Sequence, residues 1–231
     1  MGFNIIGMLS TAVCIFVDYW FISAAMGTDG LTALSLGVPV YSIIFGLGLM
    51  LGVGGGAKYA ELRAAGKNDE ANKYFTVTIK IGCIVSAVIA AIGGLFAVQA
   101  AELLGAREHI LPMTSSYIRV LFLLAPGAIL YCVFESFARN DRAPRTAMIS
   151  SIIYNIMNII LDYIFIFIFG WGMFGAALAT TSGSICALLF LLIYCHRKKV
   201  GFRFVKTRTR MKRLLPIFVI GAQPTRVMRA I

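Results

Sequence analysis

Apolar positions along this chain come in long unbroken runs. Six stand out, over residues 3–26, 32–57, 75–98, 112–136, 145–169 and 174–195. A helix needs roughly 20 mostly apolar residues to cross the hydrocarbon core of a bilayer, and each run is long enough. A membrane barrel would alternate with period two instead. The pattern predicts an all-α integral membrane protein, a bundle of six transmembrane helices within residues 1–195. A seventh run, Leu214 to Ala222, is too short to span. The apolar start at Gly2 has no basic leader and no clear cleavage site, so it reads as a first helix and not as a signal peptide.

The polar positions between the runs set the orientation. The first turn, "GTDGLTA", and the fifth, "GWGM", carry no Lys or Arg, and the third connection holds only Arg107. The second holds Lys58, Arg63, Lys67 and Lys73, and the fourth Arg139, Arg142 and Arg145. Nine basic residues follow the sixth run: Arg197, Lys198, Lys199, Arg203, Lys206, Arg208, Arg210, Lys212 and Arg213. By the positive-inside rule the bias alternates without a violation, and both termini are expected in the cytoplasm of a cell whose inner membrane the chain crosses.

Composition agrees. Of 231 residues, 59% are hydrophobic and 13% charged, against about a quarter charged in soluble domains. A soluble chain of this size has no room to hide so much apolar surface. The net charge of +11 reflects mainly the basic segment 196–213. That segment lacks the aromatic or glycine interleaving of a nucleic-acid surface. It reads as a topology signal or as a cytoplasmic loop lying on anionic headgroups, and no nucleic-acid partner is expected.

Little supports an enzyme. The two histidines, His109 and His196, flank helices, and the five cysteines are scattered singly, so neither a hydrolase nor a metal or disulfide site is read. "GVGGGA", residues 52–57, fits a loose dinucleotide pattern, but it ends a spanning run where that motif should follow a strand. Gly46, Gly48, Gly52 and Gly56 instead suggest close helix packing. Pro39 and Pro126 are expected to kink their helices.

Of ten acidic residues, eight fall in loops or near helix ends, Glu135 among them. Asp18 and Asp162 do not. An acid at bilayer depth costs about 2.5–3.5 kcal/mol on insertion scales and marks a functional site by default. At 100° per residue, Ser151, Asn155, Asn158 and Asp162 share one face of the fifth helix, an arc of roughly 60°. Ile153, Ile160 and Phe167 take the opposite face, toward lipid. Such a stripe faces protein or a water-filled cavity. A carboxylate with amide oxygens beside it can hold sodium or can carry a proton, and the residues alone leave both open. Thr180, Thr181, Ser182 and Ser184 of the sixth run are hydroxyls that bond back to the preceding turn in many membrane helices. Arg119 is placed to snorkel toward the outer surface, and Tyr117 beside it fits an interfacial anchor.

Four stretches are familiar together: "VDYWFISAAMGTDGLTALSLGVPVYSI", "GVGGGAKYAELRAAGKNDEANKYF", "ARNDRAPRTAMISSIIYNIMNIILDYIFIF" and "GMFGAALATTSGS". With them the chain resembles the N-terminal half of a multidrug and toxic compound extrusion (MATE) transporter. The resemblance implies one six-helix lobe of a two-lobe, twelve-helix exporter. It implies antiport of small organic, often cationic substrates against protons or sodium, with no other cofactor. It further implies a cation site at Asp18, Tyr117, Asn158, Asp162 and Thr180, with sodium a candidate at Asp18, Asn158 and Asp162. Ser151 and Asn155 are left as cavity-lining candidates. Residues 196–213 then read as the inter-lobe loop, and 214–231 as the truncated start of a seventh helix.

Such transporters are about twice this length. A truncated transporter or a half-size protein, pairing with a second lobe or with itself, is therefore expected, and a lone lobe should not transport as a monomer. Two other readings stand beside it. A lipid-linked oligosaccharide flippase would need more basic residues within helices than Lys80 and Arg119, and a non-transporting scaffold would use the polar stripe only to join helices. Orientation is directly measurable. Alkaline phosphatase fused after Gly30 or Gly170 should be active, and fused after Lys67 or Ala143 inactive. Activity at both pairs of sites would contradict the orientation.

Overall fold

A computed structural model describes residues 2–141, 143–197, 201–207 and 211–222. Arg142, Lys198, Lys199, Arg208 and Arg210, used above for orientation, lie outside the described residues, as do residues 223–231 of the expected seventh helix. The chain is helical: α1 Gly2–Ala64, α2 Asn68–Leu95, α3 Ala97–Leu103, α4 Ile110–Leu123, α5 Ala125–Asn140, α6 Pro144–Asp162 continued by a π-helix Tyr163–Ile168, α7 Gly172–Arg197 and α8 Met211–Gly221. No strand occurs among the described residues.

The spans follow from length. The apolar part of α1 covers 56 residues and would run about 84 Å as one rod, far beyond a core of about 30 Å. It breaks at Gly27, whose φ of 62° and ψ of −147° leave helical space. A side chain is rarely tolerated there, which is why the turn falls on glycine. The two arms, residues 2–26 and 28–64, fold back: both Cys14 on one arm and Tyr41 on the other reach α6, at Asn158 and Tyr154. With α2, the α4–α5 pair, α6 with its π-helix, and α7, this makes six crossings of a multi-pass membrane protein. The α4–α5 pair bends by 52° at Leu124, just before Pro126, as expected of that proline. Gly27 opens the first turn expected at "GTDGLTA", and Pro39 lies within the second arm without leaving helical φ/ψ.

The connections sort to two ends. Asp29 lies 3.4 Å from His109, and Gly172 lies against Met26, so the first, third and fifth connections meet at one end. At the other, Asp141 accepts hydrogen bonds from Tyr59 Oη (2.7 Å) and the Gly201 backbone N–H (2.7 Å), and Arg63 lies 3.8 Å away. This gathers the second and fourth connections and the segment after α7, the division that alternating charge requires.

The glycine-rich stretch is a packing seam. A Cβ at Gly48 would meet Cys132, at Gly52 Ser136, and at Gly56 Asn140. Glycines four apart on α1 thus match residues four apart on α5, letting the backbones approach. Gly55 is filled by Thr78 of α2, and Gly54 sits under Ile217 of α8. Gly46, grouped with the seam above, has no neighbour within 4 Å. It falls on the wrong side of the helix.

After α7 the chain returns as an irregular strap along α2. The Arg203 N–H donates to Asn72 Oδ1 (3.0 Å) and the Val205 N–H to Thr76 Oγ1 (3.0 Å), while Lys80 Nζ donates to the Thr207 carbonyl (2.8 Å). Valine at position 52 would drive a side chain into Ser136 and the Cys132 carbonyl. Gly52→Val should cost about 1–3 kcal/mol, visible as a lower Tm in detergent, and an unchanged Tm would contradict the seam.

Candidate functional site

The polar face of α6 turns inward. Asn155 and Asn158 are each 1% exposed and Asp162 is 2% exposed, while Ile160 and Phe167 on the opposite side lie open toward lipid. Asp162 is the last α-helical residue before the π-helix. A π-turn of this kind shifts the phase of the residues after it, and here it begins next to the buried acid.

Asp18, on the first arm of α1, brings its partly buried carboxyl within hydrogen-bonding reach of Asp162. Each acid keeps one buried oxygen, Oδ1, without a partner. Asn158 is the hub. Its Nδ2 donates to Asp162 Oδ2 (3.2 Å) and to Thr180 Oγ1 (3.4 Å), and its Oδ1 accepts from the Cys14 thiol (2.8 Å). Thr180 also bonds back to the Ala176 carbonyl (3.1 Å), and Thr181 to that of Ala177, the back-bonding expected of these hydroxyls. Tyr117 is buried, its ring against Gly37, and lies within electrostatic range of both acids. It is no interfacial anchor. Its helix turns it into the bundle, whereas Arg119, two residues on, is exposed.

Four residues of the expected cation site, Asp18, Asn158, Asp162 and Thr180, are thus within reach of one another, and Tyr117 is in electrostatic range of the two acids. The cavity-lining pair divides. Asn155 joins helices, donating to Ser10 Oγ (2.9 Å) and Thr11 Oγ1 (3.3 Å). Ser151 lines a cavity of about 570 Å³ with Tyr41, Phe45, Tyr131, Tyr154 and Glu135. Tyr41 and Tyr154, whose hydroxyls are 3.4 Å apart, line this cavity and lie in electrostatic range of Asp18.

Two residues of the site escaped the sequence reading. Cys14, one of five singly scattered cysteines, precedes Asp18 by one helical turn and so shares its face. Glu135 was placed with the helix ends. It is 8% exposed, accepts from Ser151 Oγ (2.8 Å), and is paired with Arg139 at 2.6 Å. Its spacing of four from Arg139 was the available signal: a long acid can stay inside a bundle when a cation one turn on reaches it.

The six-crossing bundle thus brings two acids together beside a mostly apolar cavity. The MatE family model matches residues 4–164, and the chain belongs to the MatE family. It is 36% identical over 220 residues to the multidrug export protein MepA of Staphylococcus saprophyticus and 34% identical to that of Staphylococcus aureus. Each match covers 94% of this chain and 48% of the relative, so the chain spans about half the length of these relatives. The fold is also that of a MOP superfamily transporter from Pyrococcus furiosus, at TM-score 0.88 and 24% identity, over 94% of this chain and 48% of that one. It matches an outward-facing multidrug resistance MATE family transporter at TM-score 0.86 and 24% identity, over 94% and 49%.

The hub carries a measurable load. Asn158→Leu keeps the volume but removes the amide donor to Asp162 Oδ2 and the shorter of the Cys14 thiol's two bonds, at a cost on the order of 1–3 kcal/mol. A Tm in detergent equal to the parent's would contradict this role.

Proposed function

We propose that the chain is one lobe of a proton-coupled multidrug exporter of the cell membrane, working with a second lobe or a second copy that supplies the facing wall of the substrate cavity. The basic end faces the cytoplasm, with both termini there. The observation that carries this reading is the Asp18–Asp162 pair, tied by Asn158 to Thr180 in a nearly dry interior. Proteins of this kind are secondary transporters and not enzymes, and binding and proton movement are the whole of the chemistry.

The amide of Asn158 favours a proton over sodium. It turns Nδ2 toward Asp162 and Thr180 and gives its oxygen to Cys14. Sodium needs oxygens, so Asn158 would have to turn over and break the Cys14 bond. A proton needs no such change, because two facing carboxyls share one readily. Entry of one proton removes one of the pair's two negative charges, relieves their repulsion, and lets the α1 arm and α6 repack. Substrate, bound on the cytoplasmic side, is then released outward as the lobes switch.

The cavity suits bulky organic cations. Its volume lies in the usual range of roughly 300–1,000 Å³ for ligand sites, and its tyrosines and Phe45 offer π faces to a cation. The flippase reading needs cations free to hold a pyrophosphate, yet Arg139, the cavity's arginine, is already paired with Glu135.

In a two-lobed version expressed in cells stripped of their own exporters, Asp162→Asn should reduce proton-driven ethidium efflux to background at unchanged expression. Efflux at the parental rate would remove Asp162 from the mechanism.

A further inference from the structure

One groove plays no part in that mechanism. α5 lies between α2 and α7, and its Phe134 forms the floor of an apolar depression of about 280 Å³. Phe75 of α2 and Leu192 and Cys195 of α7 wall it, and the strap, residues 201–207, closes it with Phe202 and Phe204. It lies at the basic end of the molecule, away from the acid pair.

The strap is held by its backbone. Four residues of helix rise about 6 Å, and two residues of extended chain about 6.6 Å. Asn72, Thr76 and Lys80, spaced by four on α2, therefore meet Arg203, Val205 and Thr207, spaced by two on the strap. Backbone anchoring leaves the strap's side chains free. Phe202 packs inward, 4.7 Å from the Phe75 ring, and is 4% exposed. Phe204, its ring 5.0 Å from Phe75, remains 65% exposed at the groove mouth. Arg203 and Lys206 point outward and exposed, and Lys80, His196 and Arg197 are exposed around them.

Farther along α2 and α7 from the mouth run two stripes of exposed apolar side chains. Ile84, Val88 and Ile92 line the outer face of α2, and Leu189 and Ile193 that of α7, all of them exposed. The nearest acids are already bonded: Asp141 to Tyr59 and the Gly201 N–H, and Glu70 to Lys73. The mouth is therefore cationic around an apolar slot that opens onto hydrocarbon.

We propose that this groove is a binding site for an anionic phospholipid. One acyl chain lies over Phe134 between the two stripes, and the phosphate sits against Arg203, Lys206 and Lys80. Phe204 covers the glycerol region, where an aromatic ring is at home. The bound lipid then ties the strap to α2, α5 and α7. Charge complementarity selects the lipid: Lys and Arg near a membrane surface attract anionic headgroups, and a zwitterionic headgroup gains far less there.

The test is native mass spectrometry of the full purified chain, titrated with phosphatidylglycerol and phosphatidylcholine. The parent should retain phosphatidylglycerol in clear preference. The double substitution Arg203→Gln, Lys206→Gln should lower that retention roughly tenfold without changing retention of phosphatidylcholine, and Phe204→Ser should lower both. These side chains are exposed, so helicity by circular dichroism should stay at the parental value. A control pair at the opposite end, Arg107→Gln with Arg119→Gln, should leave phosphatidylglycerol retention intact. Equal retention of the two lipids overturns the site, as does an unaffected double variant or a control pair that loses as much.

Discussion

Two carboxyls facing each other in a nearly waterless interior form the constraint around which this lobe is built. Charged, they repel in a medium that screens poorly, and isolated, each costs several kcal/mol to keep there. The bundle answers by supplying donors. Asn158 donates to Asp162 and to Thr180, and Cys14 fixes the amide's orientation from the other side. The π-helix starts at the residue after Asp162, so the outer end of the helix packs in a different phase from the part that holds the acid.

The rest of the architecture holds that arrangement in place. The turn at Gly27 brings the two arms of α1 side by side, placing Asp18 from one arm and Tyr41 from the other near α6. The Gly48–Gly52–Gly56 seam presses the second arm onto α5, which puts Tyr131 and Glu135 on the same cavity as Tyr41. The cavity and the acids thus draw on the same helices, with Tyr41 and Tyr154 lining the one and in electrostatic range of Asp18. In the proposed exporter such proximity matters, since a coupling ion must bind differently to two arrangements in order to shift them.

Much of this was legible in the sequence. Run lengths and charge placement marked the six crossings, and the 100° step put Ser151, Asn155, Asn158 and Asp162 on one buried face. What the pattern concealed has physical causes. Periodicity along one helix says which residues share a face and nothing about the partner helix, so Asn155 and Asn158 looked equivalent until Ser10 and Cys14 were found opposite them. Glu135 looked peripheral because an acid five residues from a helix end usually reaches water, and only its pairing with Arg139 and Ser151 keeps it inside. The turn at "GTDGLTA" was legible, but not that it would fall on the positive φ of Gly27. The strap along α2 left no hydrophobic signature, because side-chain-to-backbone bonds hold it.

The central claim is that Asp18 and Asp162 hold a proton between them, with no sodium ion. Infrared difference spectroscopy of the purified chain, recorded as pH is lowered in sodium-free buffer, reads the carboxyl C=O band directly. The account predicts a protonated-carboxyl band that vanishes in Asp162→Asn and is unchanged when sodium is added at constant pH. A band abolished by sodium at constant pH, with Asp162→Asn blind to the ion, would contradict it.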